Sequence, residues 1–202
     1  GKAVVCSDGE TVPFDKLLAA CGSSPFVPPF KGLEKVNKRF SFMTENDAAE
    51  LENDVTKDST VLIVGAGLIG LKCAEGLKNR AKEIIVCDLA DRVLSSILDT
   101  ECAALVEEKL KENDIKLMLG DSAEEFFENS AKMKSGKTVD FDILVTAVGV
   151  RPNTGLLKNA GAKINRGIIV NEKGETSLPD IYAAGDLTEN YDISSGSEKI
   201  MA

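Results

Sequence analysis

The chain has 202 residues, 43% hydrophobic and 28% charged, with 17 glycines, 5% aromatics and a formal charge of −9. That length makes one large or two small domains with an ample core, and the composition excludes disordered, collagen-like and disulfide-scaffold classes. The negative balance argues against nucleic acid or an anionic membrane as partner, because no basic patch dominates such a field. The chain contains no histidine. Its absence removes Ser-His-Asp and Cys-His catalysis and the common His-based metal sites, so no metal is expected and the chemistry should come from a cofactor. The five cysteines, Cys6, Cys21, Cys73, Cys87 and Cys102, are odd in number and form no CxxC pair. They support neither a disulfide framework nor a zinc cluster and suit a reducing, cytoplasmic setting. No apolar run reaches the length of a membrane span, and no charged segment leads into an apolar one at the start.

In chain order, residues 3–12 read as a hairpin about a Ser7-Asp8-Gly9-Glu10 turn, followed by a strand over 16–20 that stops at Cys21-Gly22. Gly22, Pro25, Pro28, Pro29 and Gly32 make residues 22–32 the best candidate for an interdomain linker. A polar, acidic helix is predicted over 45–55, and Thr60-Val61-Leu62-Ile63-Val64 is a continuous apolar run suited to a buried parallel strand. From residue 68 to 79, Ile69, Cys73 and Leu77 recur at i, i+4 and i+8 with Gly70 and Ala74 beside them, which gives a helix with one packed face. A strand over 83–88, a helix over 100–113 and a strand over 115–119 complete a β-α-β-α-β order. Short segments at 124–127, 131–134 and 138–139, with a Ser135-Gly136 turn, predict an antiparallel meander before a buried strand at 143–147. Strands are expected at 167–170 and 181–184, loop chemistry at 189–197, and the opening turn of an unfinished helix at 197–202. The chain starts with Gly1-Lys2-Ala3 rather than Met, so a piece of a longer protein is expected.

Gly65-Ala66-Gly67-Leu68-Ile69-Gly70 lies between a buried strand and a helix, where a GxGxxG turn binds a dinucleotide pyrophosphate. Gly65 would permit the tight turn, Gly67 the close approach of phosphate, and Gly70 close packing of helix on strand, while Leu68 and Ile69 open the helix. Asp88 ends the next strand, about 20 residues on, where a carboxylate accepts hydrogen bonds from ribose hydroxyls and repels a 2′-phosphate, so NAD(H) is favoured over NADP(H). Arg92 lies four residues beyond, able to reach a phosphate or to form a surface salt bridge.

Three further segments carry a resemblance. Asp142-Ile143-Leu144-Val145-Thr146-Ala147-Val148-Gly149-Val150-Arg151-Pro152-Asn153, Thr176-Ser177-Leu178-Pro179-Asp180-Ile181-Tyr182-Ala183-Ala184-Gly185-Asp186, and Phe14-Asp15-Lys16-Leu17-Leu18-Ala19-Ala20-Cys21-Gly22-Ser23-Ser24-Pro25 are similar, in order and spacing, to motifs of the FAD-dependent pyridine nucleotide–disulfide oxidoreductases. The resemblance implies an α/β fold with a three-layer ββα Rossmann-like domain, a parallel sheet plus an antiparallel meander, flanked by partial FAD-domain segments. It places FAD-domain pieces at 1–30 and 154–202 and an NAD-binding domain at 31–153. It adds Gly149 to the NAD-binding residues, and it assigns Gly22, Gly185 and Asp186 to FAD in the complete protein, Asp186 on the ribityl hydroxyls. The family's first GxGxxG and its redox-active cysteine precede this start, and its C-terminal interface domain follows this end. The implied activity is passage of hydride from NADH to flavin and on to an acceptor that the sequence does not name, with this stretch alone inactive for want of half the FAD site. The Gly-Leu-Ile-Gly turn looks more like NADH oxidase, nitrite-reductase-like and rubredoxin-reductase-like members, and a homodimer is open for the complete protein. Two positions depart from the pattern: Lys72 stands where the family has Glu, and Cys21 replaces Thr. Cys73 and Cys87 read as small core residues, and no catalytic residue is assigned. The alternatives are a stand-alone dinucleotide-binding or redox-sensing module without flavin, and a single-domain Rossmann dehydrogenase or methyltransferase.

Overall fold

The computed structural model describes residues 2–192 and 196–200, which fall into two units, Gly1–Ser24 with Val150–Ala202 and Pro25–Gly149. In chain order the first unit starts with β1 (Ala3–Val5), β2 (Thr11–Pro13), β3 (Leu17–Ala19) and β4 (Ser23–Pro25). The second contributes β5 (Arg39–Phe40), α1 (Glu45–Asp54), β6 (Thr60–Val64), α2 (Leu68–Leu77), β7 (Glu83–Asp88), α3 (Thr100–Glu112), β8 (Ile115–Leu119), β9 (Ala123–Phe126), β10 (Ser130–Met133), β11 (Thr138–Asp140) and β12 (Ile143–Thr146). The first then resumes with β13 (Val150–Pro152), α4 (Gly155–Asn159), β14 (Ile168–Ile169), β15 (Ile181–Ala183), β16 (Thr188–Asp192) and β17 (Ser197–Ile200).

Alternation along the apolar strands builds the Pro25–Gly149 unit. Its parallel sheet has the order β5-β12-β6-β7-β8. Side chains point to opposite faces at successive residues, so Val61 and Ile63 join Ile84, Val86, Ile143 and Val145 against Leu51 of α1, Cys73 and Ala74 of α2 and Ala103 of α3. Leu62, Val64, Ile85, Cys87 and Leu144 face the other way, onto the antiparallel meander β11-β10-β9 through Phe126, Ala131, Met133 and Val139. Helices, parallel sheet and meander make the expected three layers. A sheet buried on both faces explains why its strands read as continuous apolar runs.

The stretch read as a linker, residues 22–32, contains the boundary between the two units, and part of it is held by specific contacts. The unit boundary falls at Ser24/Pro25, but beyond it Phe26 N donates to Gly149 O at 2.9 Å and Phe30 meets Phe126 edge-on at 5.4 Å between ring centroids. A Cβ on Gly32 would lie 2.1 Å from Phe126 O. These contacts place residues 25–30 in the middle unit rather than before it. At the other end Asn153 N donates to Gly22 O, and Asn153 Nδ2 to Cys21 O, which places residues 150–153 in the outer unit.

In the outer unit β3 and β15 pair in parallel, Ala19 with Ala183, over a core of Ala19, Leu157, Ile168, Ala183 and Leu187. Of the loop expected at 189–197, residues 193–195 lie outside the described residues; on either side of them that loop, and the helical turn expected at 197–202, are corrected, because β16 and β17 pair antiparallel, Tyr191 opposite Glu198, and β16 pairs with β14. The open edge of β16 supplies ladder partners to 197–200, which outweigh a weak local helix preference; Met201 and Ala202 lie outside the described residues. Glu189 closes this unit from within. It is 3% exposed and accepts from Gly167 N, Arg166 N and Asn165 Nδ2, each at 2.9 Å. Burial pushes its carboxyl up, but these donors outweigh it and hold Glu189 below the ordinary glutamate range. Its stabilising contribution is therefore complete above the unfolded-state value and lost as pH falls through the lower folded one. Glu189→Gln should cost about 1–3 kcal/mol at pH 7 and shrink the difference from the unaltered protein in acid. Chemical denaturation at pH 7 and pH 3 checks it, and a cost that is the same at both would refute it.

Candidate functional site

The turn after β6 is held by contacts that only glycine admits. Gly65 has φ 117, and a Cβ there would lie 2.2 Å from Ala147 O. A Cβ on Gly70, in the first turn of α2, would lie 2.0 Å from Gly65 O. Gly67, the N-cap residue of α2, is different: its φ is −78, and a Cβ there would meet nothing within 4 Å. Two of the three glycines thus let the chain close on itself, and the third leaves open space beside the backbone. The first N–H groups of the ten-residue α2 have no intrahelical acceptor, so the positive end of the helix faces this space.

That space is a cleft of about 670 Å³ at the carboxyl ends of β6, β7 and β12. Gly65, Gly67, Leu68, Ile69, Asp88 and Gly149 line it together, with Gly149 at φ 113. Gly70 is buried beneath. The chain leaves β6 for β7 on one side, while β12 lies on the other, so the cleft is at the switch point where open α/β sheets receive ligands. Asp88 is tied to the turn: its Oδ2 accepts from Ala66 N at 2.7 Å and its Oδ1 from Ala90 N at 2.8 Å. Sequence reasoning missed part of the wall, contributed by Phe30, Ser95, Ser96, Ile97 and Ser122. Phe30 sat in a supposed linker, and the serines in a loop without periodicity.

In the outer unit Gly22, at φ 62, and Gly185, at φ 82, follow the adjacent parallel strands β3 and β15, and a Cβ on either would meet nothing within 4 Å. Asp186 accepts from Ser23 Oγ at 3.0 Å, and Gly185 O accepts from Thr188 Oγ1 at 2.8 Å. Ser23 lies in the Phe14–Pro25 segment, and its bond to Asp186 spans a separation that no local pattern reveals.

The family model described as pyridine nucleotide-disulphide oxidoreductase matches residues 1–201. The chain belongs to this family. It is 37% identical over 193 residues to an NADH oxidase of Methanocaldococcus jannaschii, covering 93% of this chain and 43% of that protein. It is 32% identical over 200 residues to a nitrite reductase [NAD(P)H] of Bacillus subtilis, covering 96% of this chain and 25% of that protein. Among solved structures, an NAD-dependent persulfide reductase from A. fulgidus superposes with a TM-score of 0.87 at 31% identity, covering 98% of this chain and 38% of that one. The chain thus spans less than half the length of these oxidoreductases.

Lys72 and Cys21 are not part of the Gly65–Gly70 turn. Lys72 is exposed on α2 and pairs with Glu75 at 2.9 Å. Cys21 is exposed, and its backbone carbonyl holds Asn153. Cys73 and Cys87 are buried in the two cores of the middle unit, and burial pushes both thiols up to about 12, with Asp88 and Asp121 adding to the rise at Cys87. Such thiols stay protonated and unreactive. Among the described residues no group of His, Cys, Asp or Glu is placed to hold a metal ion, and no helix is long and apolar enough to cross a membrane.

Proposed function

We propose that the Pro25–Gly149 unit is the NAD(H)-binding domain of an FAD-dependent oxidoreductase and that the outer unit carries part of its FAD domain. The observation that carries this reading is the cleft at Gly67: an open position beside backbone, under a helix N-terminus, with Asp88 on the neighbouring strand end. A pyrophosphate fits against Gly67 and the N–H groups of Leu68 and Ile69, and a ribose against Asp88. Gly149, open at its Cβ position, leaves room for the rest of the dinucleotide. In the outer unit, Gly22 and Gly185 leave their backbone accessible, and Asp186, oriented by Ser23, offers a carboxylate to flavin hydroxyls. A nicotinamide nucleotide held at the Gly67 cleft would supply hydride chemistry, and a flavin held by Gly22, Gly185 and Asp186 would supply the ring that accepts it for a further acceptor. The chain's own part is to bind and orient, which needs no histidine and no acid–base pair. The Gly22, Ser23 and Asp186 grouping favours this over a flavin-free module, and the three-layer unit with its meander favours it over a lone dehydrogenase. Five free cysteines suit a reducing cytoplasm.

Isothermal titration of the 202-residue chain with NADH, NADPH and FAD tests the assignment. Saturable binding of NADH, weaker binding of NADPH and no stoichiometric uptake of FAD are expected. Stoichiometric FAD, or silence toward both nicotinamide nucleotides, would overturn the division of labour between the units.

A further inference from the structure

Residues 89–99, between β7 and α3, contain no helix or strand. Through Leu89, Ser95, Ser96 and Ile97 they nonetheless form a wall of the cleft beside Asp88. The root of this stretch is tied by backbone: Ala90 O accepts from Gly120 N at 2.8 Å, and Leu94 N donates to Ala66 O at 2.9 Å. Leu94 has φ 51, a left-handed conformation that leucine keeps only where its surroundings enforce it. Beyond Leu94 the tip turns outward, and Ile97 is 63% exposed. Ile97 N and Leu98 N donate to Leu94 O at 2.8 and 2.9 Å, and Leu98 packs against the core.

One side chain spans the tip from behind. Arg92 Nε donates to Leu98 O at 3.3 Å, Nη2 to Ser95 O at 3.3 Å and Nη1 to the Asp91 carboxylate at 3.0 Å, and the Asp99 carboxylate feels its charge. Arg92 does not line the cleft. Three of its five N–H donors are committed to the loop and to Asp91. The sequence left Arg92 open between phosphate contact and surface pair; the structure adds a third role.

We propose that Arg92 is a positioning residue for dinucleotide binding: its guanidinium clamps the Ser95 and Leu98 carbonyls and so fixes the wall against which the adenosine end is held. The proposal rests on the dinucleotide reading of the cleft. The planar guanidinium directs several donors at once, which an ammonium point charge cannot reproduce. Without the clamp both carbonyls turn to water at little cost to the fold, but the wall becomes mobile and each binding event must order it again. Because Arg92 touches the loop and not the ligand, the loss should be the same for NADH and NADPH.

The test uses the 202-residue chain and its Arg92→Lys and Arg92→Gln variants, titrated calorimetrically with NADH and NADPH. Both variants should bind each nucleotide about tenfold more weakly, with the NADH to NADPH ratio unchanged and lysine giving no rescue. Hydrogen exchange supplies a readout independent of ligand: the amides of residues 95–97 should exchange faster in Arg92→Lys while those of β6, β7 and β8 keep their protection. Rescue by lysine would mean that charge alone matters. A selective loss of NADPH would mean direct contact with its phosphate. Unchanged affinities, or faster exchange throughout the sheet, would equally overturn the clamp. If the unaltered chain binds no NADH, the dinucleotide reading falls and the clamp with it; if it binds and the variants match it, the clamp alone falls.

Discussion

Gly65→Ala should unfold the middle unit at a temperature well below the unaltered chain, whereas Gly67→Ala should leave stability intact and abolish tight NADH binding. The two positions are two residues apart and differ in what a methyl group meets. At Gly65 a Cβ lies 2.2 Å from Ala147 O and 2.7 Å from Ala147 C, both backbone, and φ is 117. Relief requires moving β12 away from β6, so overpacking and strain add up to about 4 kcal/mol, or roughly 12 °C in Tm. At Gly67 the backbone is extended, and a Cβ meets nothing within 4 Å. Its methyl would stand where a pyrophosphate meets the chain, so NADH affinity should fall by about 100-fold with Tm within a few degrees of the unaltered value. Thermal melts and calorimetric titration of both variants decide the matter. Undiminished NADH affinity in Gly67→Ala would show that phosphate does not approach this backbone.

Asp88→Ala should narrow the nucleotide preference. Asp88 accepts from two backbone N–H groups, Ala66 at 2.7 Å and Ala90 at 2.8 Å. An ionised carboxylate has about four acceptor sites, so about two remain for ribose hydroxyls. Hydrogen bonds to a charged group are worth about 1.5–3 kcal/mol, and loss of this acceptor should weaken NADH about 30- to 100-fold. NADPH should lose much less, because the repulsion of its 2′-phosphate disappears with the carboxylate. If both nucleotides weaken by the same factor, Asp88 acts only by holding Ala66 and does not read the ribose.

Much of the middle unit is written in short-range patterns. Thr60–Val64 is apolar at every residue after the first and becomes a strand buried on both faces; Ser135-Gly136 turns the meander between β10 and β11, with Gly136 at φ 86. The helix expected over 45–55 starts where Thr44 Oγ1 accepts from Asp47 N and Asp47 Oδ2 from Thr44 N, both at 3.1 Å, a capping box encoded in four adjacent residues. The two-residue β5 carries no period to read, and α4 is five residues long with glycine first. Neither produces a recognisable pattern: β5 takes its ladder partners from β12, and α4 is anchored by Leu157 in the outer core. The pairing of β16 and β17 differs from the expected loop and helical turn because β17 finds its ladder partners on β16, which is itself held by β14.

The candidate site divides along the same line. By itself the sequence determined the glycine spacing, the strand before it, the helix after it and the acid at the next strand end, since each follows from backbone conformation or side-chain period within a few residues. Only the tertiary structure decided what surrounds them: the Ala147 carbonyl that crowds any side chain at Gly65, the phenyl of Phe30 and the serines that complete the cleft, the bond from Ser23 to Asp186 across 163 positions, and the bonds of Arg92 to the loop carbonyls. These depend on contacts between distant segments, and a carbonyl or a guanidinium acquires a role there only when the fold brings its partner within hydrogen-bonding reach.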